Sequence, residues 1–146
     1  MEVSVVRQRV REILDRSKRP AEDLRAARRA QMDAATREYD TFLERIAVPL
    51  FKQIVNVLRV EGYQFSVFTP GGSVRLMAER GNDDYIEVVL DTNGSGPKLI
   101  GRARRSRSGN VTETELVLNA TSDISALTEE DLLGFLLSEL EPFVER

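Results

Sequence analysis

At Gly62 the spacing of apolar residues changes from that of a helix to that of a strand, and this one switch constrains the fold more than any other feature. Before it, Phe42, Leu43, Ile46, Leu50, Phe51, Ile54, Val55, Val57 and Leu58 recur every three or four residues and form a wide apolar helical face. After it, Tyr63, Phe65 and Val67 alternate, then Val74, Leu76 and Ala78, then Ile86, Val88 and Leu90. Leu99 to Arg105 makes a fourth strand, and Thr112, Thr114, Leu116 and Leu118 share one face of a fifth. The breaks hold Pro70-Gly71-Gly72, Gly81-Asn82-Asp83, Asn93-Gly94 and Ser106 to Asn110, all residues suited to hairpin turns. Consecutive hairpins predict an antiparallel meander with one buried and one wet face.

Helices flank this meander. Val3, Val6, Val10 and Ile13 predict an amphipathic helix over 2–17, interrupted by Ser17-Lys18-Arg19-Pro20. A second helix is expected from Pro20 to about Glu61, kinked at Pro49, whose ring meets the carbonyl of Arg45. Thr128-Glu129-Glu130-Asp131 reads as a capping box that starts a final helix through Leu133, Leu136, Leu137, Leu140 and Val144. The expected class is α+β: N-terminal helices, one long and kinked, then a five-stranded antiparallel meander and a C-terminal helix, with the helices on one face of the sheet. The 146 residues suit a single domain, 1–146, with 1–40 a helical extension and 41–146 a helix-sheet-helix core. A long helix against a meander is also the layout of cystatin-like and other helix-grip folds; the likeness is one of arrangement, with no motif behind it.

The chain has no cysteine and no histidine. Thiolate chemistry, His- or Cys-ligated zinc and haem, and Ser-His-Asp or Cys-His nucleophile systems are excluded. No apolar run approaches the ~20 residues that span a bilayer, and Met1 to Val10 lacks the apolar core of a signal peptide, so a cytoplasmic protein without membrane attachment is expected. The net charge of −3 is unevenly spread: residues 1–62 carry 13 basic and 10 acidic side chains, whereas 111–146 carry one and nine.

Three groups invite a functional reading. From Ala21 to Glu38 the only sizeable apolar side chains are Leu24 and Met32, so this half-helix has little of its own to bury. Together with the opposite charge of the two ends, that predicts a non-enzymatic protein–protein interaction or assembly module. A homodimer, or another protein partner, is expected to meet Leu24, Ala27, Met32, Ala35 and Tyr39. The second group is Arg102, Arg104, Arg105 and Arg107, which could neutralise phosphates in an alternative nucleic-acid-associated role. Against that role, folding the hairpin brings Arg102 and Arg104 opposite Glu113 and Glu115, and no aromatic residue lies between Tyr85 and Phe135 to stack on bases. The third is the apolar stripes, which in another alternative line a pocket between helix and sheet for a hydrophobic ligand. Glu79, Asp83, Asp84, Glu87 and Asp91 are expected to serve turns and a wet strand face rather than a metal or acid–base site. No catalytic residue, metal or cofactor is expected.

Overall fold

The computed structural model describes residues 1–79, 84–94, 96–120 and 123–144. The expected turn at Gly81-Asn82-Asp83, Ser95 of the next loop and Thr121 lie outside them. The chain divides into two compact units, Met1–Ala34 and Ala35–Arg146. Its elements are helix α1 (Val3–Phe42), a π-helical turn (Leu43–Ala47), helix α2 (Val48–Val60), strands β1 (Phe65–Phe68), β2 (Val74–Ala78), β3 (Tyr85–Asp91), β4 (Lys98–Arg107) and β5 (Asn110–Val117), and helix α3 (Glu129–Val144). The strands form one antiparallel sheet in sequential order β1-β2-β3-β4-β5, the meander that the alternating pattern predicts. Among the described residues no helix is long and apolar enough to cross a membrane.

The expected break at Ser17–Pro20 does not occur, and α1 runs through both residues. Proline there removes one donor, that to the carbonyl of Arg16, but the segment is exposed and water can serve that carbonyl. Where the kink at Pro49 is expected, a π-helical turn spans Leu43–Ala47, after which Pro49 stands in the first turn of α2, where a missing N–H is tolerated. Helix α2 ends as a glycine requires: Gly62 has φ +90°, Tyr63 N–H donates to Leu58 at 2.8 Å and Gly62 N–H to Arg59 at 3.1 Å. That is a Schellman motif, which satisfies the last carbonyls of the helix. The capping box of α3 is reciprocal, Asp131 N–H donating to Thr128 Oγ1 at 3.2 Å and Thr128 N–H to Asp131 Oδ2 at 2.9 Å.

In the Ala35–Arg146 unit the helices cover one face of the sheet. Ala35, Tyr39 and Phe42 of α1, Leu50, Phe51 and Val55 of α2, and Leu132, Phe135, Leu136 and Leu140 of α3 are buried against Val74, Leu76, Ile86, Val88, Leu99 and Ala103. At about 25 cal/mol per Å² of apolar surface removed from water, this cluster is the main source of the unit's stability. Gly101 stands in the middle of that face, where a Cβ would lie 2.5 Å from Phe135 Cζ, so the missing side chain is what lets α3 seat its aromatic ring on β4. The Met1–Ala34 unit contributes no buried side chain: every residue from Met1 to Gln31 is exposed, and Met32 and Ala34 are half-buried.

Candidate functional site

Two surfaces carry the residues that the sequence singles out. One is the exposed length of α1. Val3, Val6, Val10, Ile13, Leu24 and Ala27 recur at alternating steps of three and four, with Ser17 and Pro20 completing the register between them. That is a heptad pattern, whose first and fourth positions form one stripe along a helix. The stripe is open to solvent: Leu24 is 54% and Ile13 61% exposed. Single exposed apolar residues are ordinary, but Val3, Val6, Val10 and Ile13 form a contiguous aliphatic stripe, with Leu24 further along it beyond Ser17 and Pro20. Of the partner-facing set expected from sequence, Leu24 and Ala27 lie on the exposed helix and Met32 is half-buried. Ala35 and Tyr39 are buried in the chain's own core, and the Tyr39 hydroxyl donates to the Gly72 carbonyl. These two residues therefore belong to the core of the Ala35–Arg146 unit. An exposed stripe from Val3 to Ala27 remains, and its signal is present in the spacing of the four N-terminal aliphatic residues.

The second surface is the sheet face opposite the helices. Register places Arg75 beside Glu87, Glu87 beside Arg102, and Arg102 beside Glu115, so charges alternate in sign along a row across four strands. The Arg75 guanidinium meets Glu87 Oε2 at 2.8 Å, Arg102 meets Glu87 Oε1 at 3.6 Å and Glu115 Oε2 at 3.1 Å, and Arg104 lies 3.7 Å from Glu113. Arg75 also stacks over the Tyr85 ring, 4.3 Å from its centroid. Glu87, at 5% exposed, sits between two guanidinium groups at the centre of the row. The expected pairing of Arg102 and Arg104 with Glu115 and Glu113 is thus present, with each arginine directly opposite its acid.

The four arginines do not form one patch. Strand alternation sends Arg102 and Arg104 to the charged outer face and Arg105 and Arg107 to the helix-side face. There Arg105 and Arg107 line a cleft of about 370 Å³ with Tyr63, Phe65, Asp84 and Phe143, and the Arg107 guanidinium donates to the Pro142 carbonyl. Between helix and sheet, the space lined by Phe42, Leu118, Leu127 and Leu132 measures about 30 Å³, far below the ~300 Å³ of a small-molecule pocket. A more open hollow of about 420 Å³ is lined by Phe42, Ile46, Ile124 and Leu127 together with Arg37, Glu38 and Arg45.

The remaining carboxylates are committed to structure. Glu79 accepts from Ser66 Oγ at 2.6 Å, Asp84 from the Ser106 N–H at 2.9 Å, and Asp91 from the Asn93 N–H at 2.8 Å. Asp83 lies outside the described residues. Among the described residues no group of three or more acidic side chains is placed to hold a metal ion, and every buried side-chain nitrogen and oxygen has a partner. The chain matches no protein-family model, and no curated protein or solved structure is significantly similar to it.

Proposed function

We propose that the protein is a non-enzymatic assembly module that self-associates through its N-terminal helix. The observation that carries this reading is the fully exposed stretch Met1–Gln31 with its stripe of Val3, Val6, Val10, Ile13 and Leu24. Helices in proteins gain most of their stability from burying an apolar face, and residues 1–31 of this one are all exposed. A second copy supplies the missing cover, symmetric pairs being the commonest assembly of identical chains. Light scattering after size exclusion tests it. The wild-type protein is expected at twice the chain mass, and a variant carrying Ile13→Glu and Leu24→Glu at the chain mass with an unchanged sheet unit. A wild-type monomer, or a charged variant that keeps the doubled mass, refutes this interface.

A second reading rests on the cleft beside Arg105. That guanidinium shares the cleft with Asp84, whose Oδ1 accepts from the Ser106 N–H, and aromatic walls adjoin it. The cleft suits a small organic anion, the arginine taking the charge and Tyr63 and Phe143 the apolar body. Titration with phenyl phosphate, followed by NMR, is expected to shift signals around the cleft in the wild type and not in Arg105→Gln.

A further inference from the structure

We infer that the N-terminal helices of two copies pair in parallel and in register, as a two-stranded coiled coil over residues 3–31; this rests on the self-association reading and specifies its geometry. In heptad terms Val3, Val10, Ser17, Leu24 and Gln31 occupy the first position and Val6, Ile13, Pro20 and Ala27 the fourth. Charges beside such a seam meet across it five residues apart in a parallel pair. Glu2 then faces Arg7 of the second copy, and Asp23 faces Arg28. Arg9 faces Leu14, and Arg16 faces Ala21. Two of these four contacts are attractive and none sets like charges together, although the helix is rich in arginine.

The reversed arrangement matches less well. Turning one helix about the centre of the seam sets Val10 against Pro20 and Ile13 against Ser17, and brings Arg16 against its own copy, with Arg9 against Asp23 its one attractive pairing. In register and parallel, the four layers Val3, Val6, Val10 and Ile13 are contiguous and purely aliphatic, and Ser17 meets only Ser17. Both the charge pattern and the layer pattern select the same geometry.

The chain has no cysteine, so a single introduced thiol reports on proximity without interference. A disulfide needs the two Cα atoms within about 4.4–6.8 Å, a separation that matching seam positions reach only in the parallel pair. Full-length Ile13→Cys and Ala27→Cys variants, equilibrated in a glutathione redox buffer, are each expected to form the 13–13 or 27–27 disulfide. Arg29→Cys, on the far side of the helix, serves as the control and should cross-link about tenfold less or worse, because its effective concentration is lower. Cross-linking at both seam positions and not at 29, with the doubled mass under reducing conditions, supports the parallel pair. A doubled mass with no 13–13 or 27–27 disulfide, or with a 10–20 disulfide when Val10→Cys and Pro20→Cys are mixed, overturns the parallel geometry and leaves self-association standing. A monomer at all concentrations overturns both.

Discussion

Gly101 and Tyr39 show how single residues shape the helix-covered face of the sheet. With the Phe135 ring 2.5 Å from where a Cβ would sit, Gly101→Ala must push an aromatic side chain out of a packed core. Overpacking of this kind costs about 1–3 kcal/mol, so the variant should melt lower, and Phe135→Leu in the same chain should recover part of the loss. If thermal unfolding shows no change for Gly101→Ala, the close approach is misplaced. Tyr39 makes a pH-dependent prediction. Burial, helped by the negative charges of Asp40 and Glu87, pushes its hydroxyl far above the ordinary 10.0. The folded protein therefore holds the proton where the unfolded chain releases it. Stability is unaffected below the unfolded value of about 10 and falls as pH rises above it, by up to about 1.4 kcal/mol per pH unit for one proton. Tyr39→Phe should show a correspondingly shallower loss between pH 10 and 11.5 in urea melts, together with a lower stability at pH 7 because the Gly72 carbonyl loses its donor. Neither role was visible in the sequence as such. Tyr39 has helical spacing to Ala35 and Phe42, which could have marked it as core rather than interface. Gly101 has strand parity with Leu99 and Ala103, a gap on a buried face that signals the approach of something large.

At the scale of elements, the charged row across β2, β3, β4 and β5 separates interactions that matter from those that do not. Glu87 is buried between Arg75 and Arg102, and removing it leaves two guanidinium groups without their shared acceptor. Glu115, more than half exposed, holds only the outer end of the row. Glu87→Ala should therefore cost about 1–3 kcal/mol in chemical denaturation, the usual worth of hydrogen bonds to charged groups. Glu115→Ala should stay within about 1 kcal/mol of the wild type, as exposed ion pairs do. Equal losses in the two variants would mean that the row acts through net charge and not through burial. The β4–β5 half of this row was legible beforehand because the Ser108-Gly109 turn, with both φ values positive, fixes that hairpin's register. The β2–β3 half was not: the residues between the strands leave the turn length ambiguous, and a one-residue slip would send Glu87 to the other face. The same logic explains the helices. Caps and periodicity marked Gly62 and Thr128 correctly, because they act within one turn of chain. Proline's large local cost predicts a break at Pro20, whereas an exposed helix can leave one carbonyl to water and continue.

At the scale of the molecule, fold class follows from short-range patterns, while association depends on what those patterns leave uncovered. The alternating strands and the apolar helical faces were enough to place α2 and α3 on the sheet, because each apolar stripe has one obvious partner there. The residues of the stripe from Val3 to Ala27 are all exposed. Isolated helices are only marginally stable in water, and Met1–Ala34 has Pro20 within it and no buried residue. Its helicity should then be linked by mass action to the second copy, while the Ala35–Arg146 unit, with its own core, should not be. Circular dichroism at 222 nm, read over a dilution series, is expected to lose signal equivalent to about 30 helical residues as the dimer dissociates, with the tertiary signal of the sheet unit unchanged. The Ile13→Glu, Leu24→Glu variant should show the reduced signal at every concentration. If the helices pair as proposed, added salt should weaken the pairing modestly by screening Glu2–Arg7 and Asp23–Arg28, but should not abolish it, the aliphatic layers being insensitive to screening. A helical signal independent of concentration, in a wild-type protein of single-chain mass, would show that α1 is stable alone and would remove the physical reason for the assembly reading.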